Sequence, residues 1–183
     1  MHRRRLTLGA LLLPLGAAAL DSEAARLLRA GRAVAVFRHA EAPGTYDPPG
    51  LVLADCSTQR NLDDEGRAQS RRLGAGFAAA GLKPLRVRSS PWCRCLDTAR
   101  LAFGSAEPWA ALGSPSGRSA AERQAQGALL QSALTQLPAV GFEVWVTHNF
   151  VIADLCGVNT ASAARVVLGT DTPPRVLARL PPP

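Results

Sequence analysis

Two of the chain's three histidines share a setting that points to chemistry. His39 follows the apolar run Ala33-Val34-Ala35-Val36-Phe37 with Arg38 between, and His148 follows Val144-Trp145-Val146-Thr147. Each stands where a short strand should end, and α/β proteins bind ligands at the carboxyl ends of their strands. A neutral imidazole is a good nucleophile near pH 7. A phosphoryl group in transfer spreads negative charge over its oxygens, so its catalysis depends on positioned cations and hydrogen-bond donors. Guanidinium forks hold such oxygens bidentately and stay charged at any working pH. Arg38 beside His39 and Arg94 beyond Ser90-Pro91 are candidates for that task, so the pattern reads as chemistry on a phosphate.

The elements that must position these groups are legible in outline. A helix over 20–30, stopped by Gly31, precedes the strand Ala33 to Phe37. Residues 41–61, broken by Pro43-Gly44 and Pro48-Pro49-Gly50, form a loop. Asp63 opens a helix whose buried stripe is Leu73, Phe77 and Ala80, and Leu85 to Arg88 is a strand. Ser90 as N-cap and Pro91 at the first helical position start the next helix, with Trp92, Leu96, Ala99 and Phe103 facing inward. That start places Arg94 in the first turn, where free N–H groups and the helix dipole favour an anion.

Residues 104–118 read as loop. Ser119 and Glu122 form the capping box of a helix reaching Leu137. Glu143 to Thr147 is a strand, a helix surrounds Val151 to Leu155, and Arg165 to Leu168 and Arg175 to Leu180 close the fold. Alternating strands and helices with no internal repeat predict a single-domain, three-layer α/β/α sandwich with a mostly parallel central sheet.

Composition narrows the function. A length of 183 residues at 47% hydrophobic supports one buried core. Residues 1–19 carry Arg3-Arg4-Arg5, an apolar stretch from Leu6 to Leu15 and Ala17-Ala18-Ala19, the order of a cleavable signal peptide. Arg3-Arg4-Arg5-Leu6 also bears a weak resemblance to a twin-arginine signal. The apolar stretch is short for a bilayer span. The expectation is a periplasmic or secreted domain over 20–183, with no stable membrane insertion once the leader is gone. Its net charge falls from +7 to +4 on that cleavage. The basic residues are scattered, which argues against nucleic acid and suits a small anionic ligand. Four cysteines, Cys56, Cys93, Cys95 and Cys156, make disulfides plausible in an exported chain. Their spacing matches neither C-x-x-C redox motifs nor a structural zinc site.

The motifs taken together resemble the histidine phosphatase (phosphoglycerate mutase-like) superfamily. That family has a strand ending in Arg-His-Gly, a Ser-Pro-x-x-Arg helix start with Thr-Ala downstream, and a strand ending in a second His. This chain has Arg38-His39-Ala40, Ser90-Pro91-Trp92-Cys93-Arg94 with Thr98-Ala99, and Thr147-His148-Asn149. Between the first two, Arg60-Asn61-Leu62, Glu65-Gly66-Arg67 and Gln69 are similar to the family's Leu-Thr-x-x-Gly-x-x-Gln segment. The resemblance spans roughly residues 33 to 180, in family order. It implies a phosphoglycerate mutase-like fold, no metal or other cofactor, and hydrolysis of phosphate monoesters through a phosphohistidine on His39. It implies that Arg38, Arg94 and His148 form the phosphate pocket and that Arg60 touches substrate, which would be a small phosphate ester or a phosphorylated glycan.

The general acid departs from the family. Where relatives carry a catalytic Glu this chain reads Leu112-Gly113-Ser114, and Asn149 stands where the acid-phosphatase branch has Asp. Glu41 is the acid nearest His39 in sequence and the candidate substitute, alongside water or the substrate itself. A rival reading is a catalytically weak phosphate- or sugar-phosphate-binding protein on the same fold. A second is a thiol-disulfide protein using Cys93 and Cys95. Because Cys56 precedes the Arg60 motif and Cys93 and Cys95 flank Arg94, a bridge from Cys56 to one of those two is expected. Cysteines two apart on a helix point to different sides, so only one of them can take part.

Overall fold

The computed structural model describes residues 22–183, so the expected signal peptide lies outside the described residues. Five helices and six strands follow in the order α1 (Ser22–Ala30), β1 (Ala33–Arg38), α2 (Asp64–Ala79), β2 (Arg86–Ser89), α3 (Cys93–Phe103), β3 (Glu107–Pro108), α4 (Ala120–Thr135), β4 (Phe142–Thr147), α5 (Asn149–Cys156), β5 (Arg165–Gly169) and β6 (Val176–Leu180). The strands make one sheet in the order β3-β2-β4-β1-β5-β6. The pairings β3–β2, β2–β4 and β4–β1 are parallel, while β5 and β6 run antiparallel at one edge. The mixed, mostly parallel α/β architecture is the expected one.

The sheet separates two cores, and β1 shows why. Ala33, Ala35 and Phe37 alternate into one core with Leu28, Leu73, Phe77 and Ala99, contributed by α1, α2 and α3. Val34 and Val36 alternate into the other with Leu130, Leu134, Ile152 and Leu155 from α4 and α5. A central strand covered on both faces must be apolar throughout, and this is the basis of the unbroken run before Arg38. Trp145, fully buried on β4, is the largest side chain of the second core.

Helix ends follow the local chemistry, with one correction. Asp63 caps α2 by accepting the Gly66 N–H at 2.7 Å, and Ser119 and Glu122 form the capping box of α4. Helix α3 begins after Trp92, and Ser90 is not its N-cap. Ser90 N–H bonds the Val146 carbonyl, which holds the residue in line with the strand ends, and its hydroxyl is turned to His148. The buried side of α3 is Cys93, Arg94, Cys95, Thr98 and Ala99, with Leu96 only partly covered. The helix packs on the sheet and on α2 at once, and its first turn lies beneath a cleft. The short β3 arises within the stretch expected as loop. Two residues carry no periodicity to read, and Pro108, which lacks an N–H, suits an edge strand. Leu85 lies outside β2 and is 66% exposed.

Candidate active site

The three parallel strands β2, β4 and β1 end level with one another. Arg38 is opposite Thr147 and Ser89 opposite Val146, and the His39 N–H donates to the Thr147 carbonyl at 2.9 Å. This register brings His39 and His148 side by side, with ring centroids 5.6 Å apart. Both line a cleft of about 600 Å³ together with Arg38, Arg60, Arg94 and Trp92. The expected phosphate-site residues His39, His148, Arg38, Arg94 and Arg60 therefore meet in one place, although they come from four separate segments.

The hydrogen bonds of the two imidazoles differ. His39 Nδ1 lies 2.8 Å from the Ala40 carbonyl, which can only accept, so Nδ1 carries the hydrogen and Nε2 keeps its lone pair. Burial, reinforced by the positive charges of Arg94, Arg38 and Arg60, pushes the His39 pKa down to about 3, against a lesser upward pull from the Ala40 carbonyl. His39 is therefore neutral at any ordinary pH. On His148, Nδ1 faces Arg94 Nη2 at 3.4 Å and must accept, so Nε2–H donates to Ser90 Oγ at 2.8 Å. Burial first, then His39 and the three arginines, hold His148 well below its usual pKa too. Ser90 thus orients the second histidine, a role that its sequence context did not reveal.

The arginines are fixed by the backbone around them. Arg38 Nη1 donates to the Thr160 carbonyl at 2.8 Å. That loop is itself stapled by Asn149, whose Oδ1 accepts the Thr160 N–H at 2.6 Å. Asn149, standing where a branch of the resembled family has an acid, here serves as an anchor. Arg60 Nη1 donates to the carbonyls of Ala42 and Gly44 and so clamps the start of the 41–61 loop. Burial lowers the pKa of both Arg38 and Arg60, and mutual repulsion with Arg94 adds to it. The Nε–H groups of Arg38, Arg60 and Arg94 are buried without a hydrogen-bond partner, as are those of Arg88 and Arg165 away from the cleft. Buried donors of that kind are costly to leave unmatched. Three guanidinium groups lining one cleft fit an anion.

One carboxylate reaches this cluster, and it is Asp47. Its oxygens take the Arg94 fork at 2.7 and 3.1 Å, and they also accept from the Arg60 N–H and from Trp92 Nε1. These donors, the Arg94 hydrogen bonds above all, hold its pKa below the usual carboxylate value despite the opposing effect of burial. Sequence reasoning missed Asp47 because it lies mid-loop among prolines and glycines with no spacing signal. Glu41 is half-buried, and its side chain is not among those that line the cleft. Gln69 Oε1 accepts the Glu41 N–H, and a Cβ on Gly66 would sit 2.0 Å from the Glu41 carbonyl oxygen, so both residues serve to dock this turn on α2. The other acids considered are engaged elsewhere: Glu107 with Arg86, Glu122 in its capping box, Asp154 with Arg123.

The 41–61 loop is tied to α3 by the disulfide Cys56–Cys93, which settles the choice between Cys93 and Cys95. The Cys93 N–H also donates to Gln59 Oε1 at 3.0 Å. Cys95 is a buried free thiol whose pKa burial raises to about 12, and Cys156 is free and half-buried. A thiol that stays protonated is a poor nucleophile, so the thiol-disulfide reading finds no support in Cys95. Among the described residues no group of three or more His, Cys, Asp or Glu side chains is gathered as metal ligands would be.

No family model and no curated protein matches the sequence. Solved structures do match the fold. The chain is similar to the protein histidine phosphatase SixA in complex with tungstate, at 20% identity over 82% of this chain and 97% of that one, with a TM-score of 0.57. It is similar to a mycobacterial glucosyl-3-phosphoglycerate phosphatase (16% identity, 80% and 97% of the two chains, TM-score 0.58). It is likewise similar to phosphoserine phosphatase of Entamoeba histolytica in complex with 3-phosphoglyceric acid (13% identity, 81% and 96%, TM-score 0.58). The fold is that of the histidine phosphatases.

Proposed function

We propose that the protein is a phosphatase of phosphate monoesters that works through a phosphohistidine on His39. The observation that carries this reading is His39 itself: buried, neutral, its Nδ1–H held by the Ala40 carbonyl and its Nε2 lone pair free, beside three arginines. In the first step Nε2 forms a bond to phosphorus as the ester P–O bond breaks. In the second, water attacks phosphorus, the P–N bond breaks, and His39 returns with inorganic phosphate released. Arg38, Arg94 and His148 would hold the phosphoryl oxygens, and Arg60 would hold the loop and the substrate end of the cleft. A transferring phosphoryl group needs positioning and charge stabilisation above all, and the site supplies both.

The departing oxygen needs a proton, and a positioned acid typically contributes about 10²–10⁴-fold. Glu41 stands off the cleft wall, and Asp47 is held ionised by Arg94. The proton then comes from water or from the substrate, so leaving groups that depart as stable anions are favoured. Aryl phosphates should be cleaved readily and simple alkyl phosphates far more slowly. Glu41→Gln should leave that ratio unchanged, whereas a selective loss on alkyl esters would return Glu41 to the role of acid.

The Cys56–Cys93 disulfide suits an oxidising compartment, which supports export to the periplasm or beyond, where a small phosphate ester or a phosphorylated glycan would be the substrate. No described helix is long and apolar enough to cross a membrane. The deciding experiment is hydrolysis of an aryl phosphate by the protein with chelator present, repeated with His39→Ala. Activity that survives chelation and disappears in the variant supports the phosphatase. Tight phosphate binding with no turnover would instead favour a phosphate-binding protein on this fold.

A further inference from the structure

Three guanidinium groups, Arg38, Arg60 and Arg94, line the cleft with one carboxylate, Asp47. Both histidines are neutral. The surplus of two positive charges matches one phosphate dianion and leaves no cation for a second anionic group. Glu41, off the wall but close enough to act on Arg38 and Arg60, adds a negative charge at the edge of the cleft and makes a second anion less favourable still. Outside the arginine floor the lining is uncharged, with Thr45, Ser116 and Asn149 as polar groups and Tyr46, Leu51 and Phe150 as apolar ones. Tyr46 is 77% and Phe150 55% exposed, so the rim offers two open aromatic rings. Rings placed this way cover the apolar face of a ligand whose polar end is fixed below.

We propose that Asp47 is a specificity-determining residue, which restricts the cleft to phosphate esters whose leaving group is uncharged and has an apolar face to lay against Tyr46 and Phe150. Esters with a carboxylate beside the phosphate, such as phosphoserine or 3-phosphoglycerate, would bring a further negative charge to within a few ångströms of Asp47. Arg94 cannot offset it, because its fork is shared between Asp47 and the incoming phosphate. The charge of Arg60, whose Nη1 donates to the Ala42 and Gly44 carbonyls, is already counted against the phosphate dianion. Like charges at such a distance, partly shielded from water, discriminate by about ten- to a hundredfold.

The inference rests on the phosphate-site reading above, and its test separates the two. The selectivity of the protein and of Asp47→Asn is measured as the ratio of kcat/KM on glucose 6-phosphate to that on 3-phosphoglycerate, two alkyl esters with equally poor leaving oxygens. The same ratio is measured as binding constants in His39→Ala and in His39→Ala with Asp47→Asn, where turnover plays no part. The expected result is a preference for glucose 6-phosphate of at least about tenfold that shrinks by about tenfold in the Asn variants. Tyr46→Ala should weaken glucose 6-phosphate and leave inorganic phosphate unaffected. If Asp47 only orients Arg94, both esters change by the same factor and the ratio stands, which overturns the proposal. A protein that hydrolyses no ester, aryl phosphates included, refutes the phosphatase reading, while the binding ratio still decides the role of Asp47.

Discussion

Two clusters of buried charge sit near opposite ends of β4, and they are built differently. Near its start, Glu143 meets Arg88 at 3.4 Å, accepts from Trp145 Nε1 at 2.9 Å, and Trp109 lies 4.7 Å from the Arg88 guanidinium carbon. One cation faces one anion, and aromatic rings cover the pair. Beyond its other end, three arginines line the cleft with a single carboxylate, and their Nε–H groups are unmatched, as is that of Arg88. Charges buried in equal number offset each other. A buried surplus of one sign costs free energy until something of the other sign arrives. The first cluster joins β2 to β4, and the second leaves a surplus of positive charge lining a cleft.

Removing the proposed nucleophile should have the largest effect. His39→Ala should lower turnover of an aryl phosphate by more than about 10³-fold and abolish acid-labile labelling of the protein by a phosphate ester. Full activity in this variant, read by release of the aryl alcohol, would end the phosphohistidine assignment.

Taking one arginine from each cluster should separate their roles. Arg94→Ala should weaken vanadate binding by about a hundredfold, two charge-assisted bonds being lost. Its cost in stability should be modest, because Asp47 keeps the Arg60 and Trp92 N–H donors and reaches water. Arg88→Ala should do the reverse. It strands Glu143 in a site where its side chain is only 11% exposed, costs about 3 kcal/mol in urea unfolding, and leaves vanadate affinity unchanged. If the two variants lose stability and ligand equally, the division of labour drawn here is wrong.

The disulfide joins the two halves of the ligand cluster. Cys56–Cys93 ties the loop bearing Asp47 and Arg60 to the helix bearing Arg94 across a sequence separation of 37. Reduction, or Cys56→Ser, should destabilise the fold by about 2–4 kcal/mol by restoring freedom to the unfolded chain. Unfolding followed with and without reductant reads this directly, and unchanged midpoints would mean that the bridge is absent in the protein as made.

How much of this was legible beforehand follows from what kind of signal each feature leaves. The strands before His39 and His148 stand out because a doubly covered strand must be apolar, and the Asp63 and Ser119 caps because capping is local chemistry. The joint placement of Arg38, Arg94 and the histidines followed from strand ends and a recognisable order. Asp47 left no trace, since a loop carboxylate becomes a ligand of Arg94 only through the path of the folded loop. Ser90 misled for a related reason. Ser-Pro before an apolar stretch looks like a cap, yet the register of β2 against β4 turns the hydroxyl to His148. The pairing of Cys56 with Cys93 rather than Cys95 likewise depends on which side of α3 the loop meets.

The smallest effect is a slope with pH, and it bears on the proposed nucleophile from another direction. Unfolded, both histidines titrate near 6.5; folded, His39 does so only at about 3 and His148 well below its ordinary value. Between those limits the unfolded chain binds protons that the native protein does not. Stability must therefore be fully present above about pH 7 and fall as the pH drops below 6.5, by at most about 1.4 kcal/mol per pH unit for each histidine. Asp47 works in the same direction but only below its ordinary value of 3.8, so it does not enter between pH 5 and 6.5. Urea midpoints at pH 7, 6 and 5 should decline, and His39→Asn should remove about half of the decline. A flat or rising profile would mean that the folded protein holds His39 as a cation. An imidazolium has no lone pair for phosphorus, so that outcome would also rule out its attack on the ester.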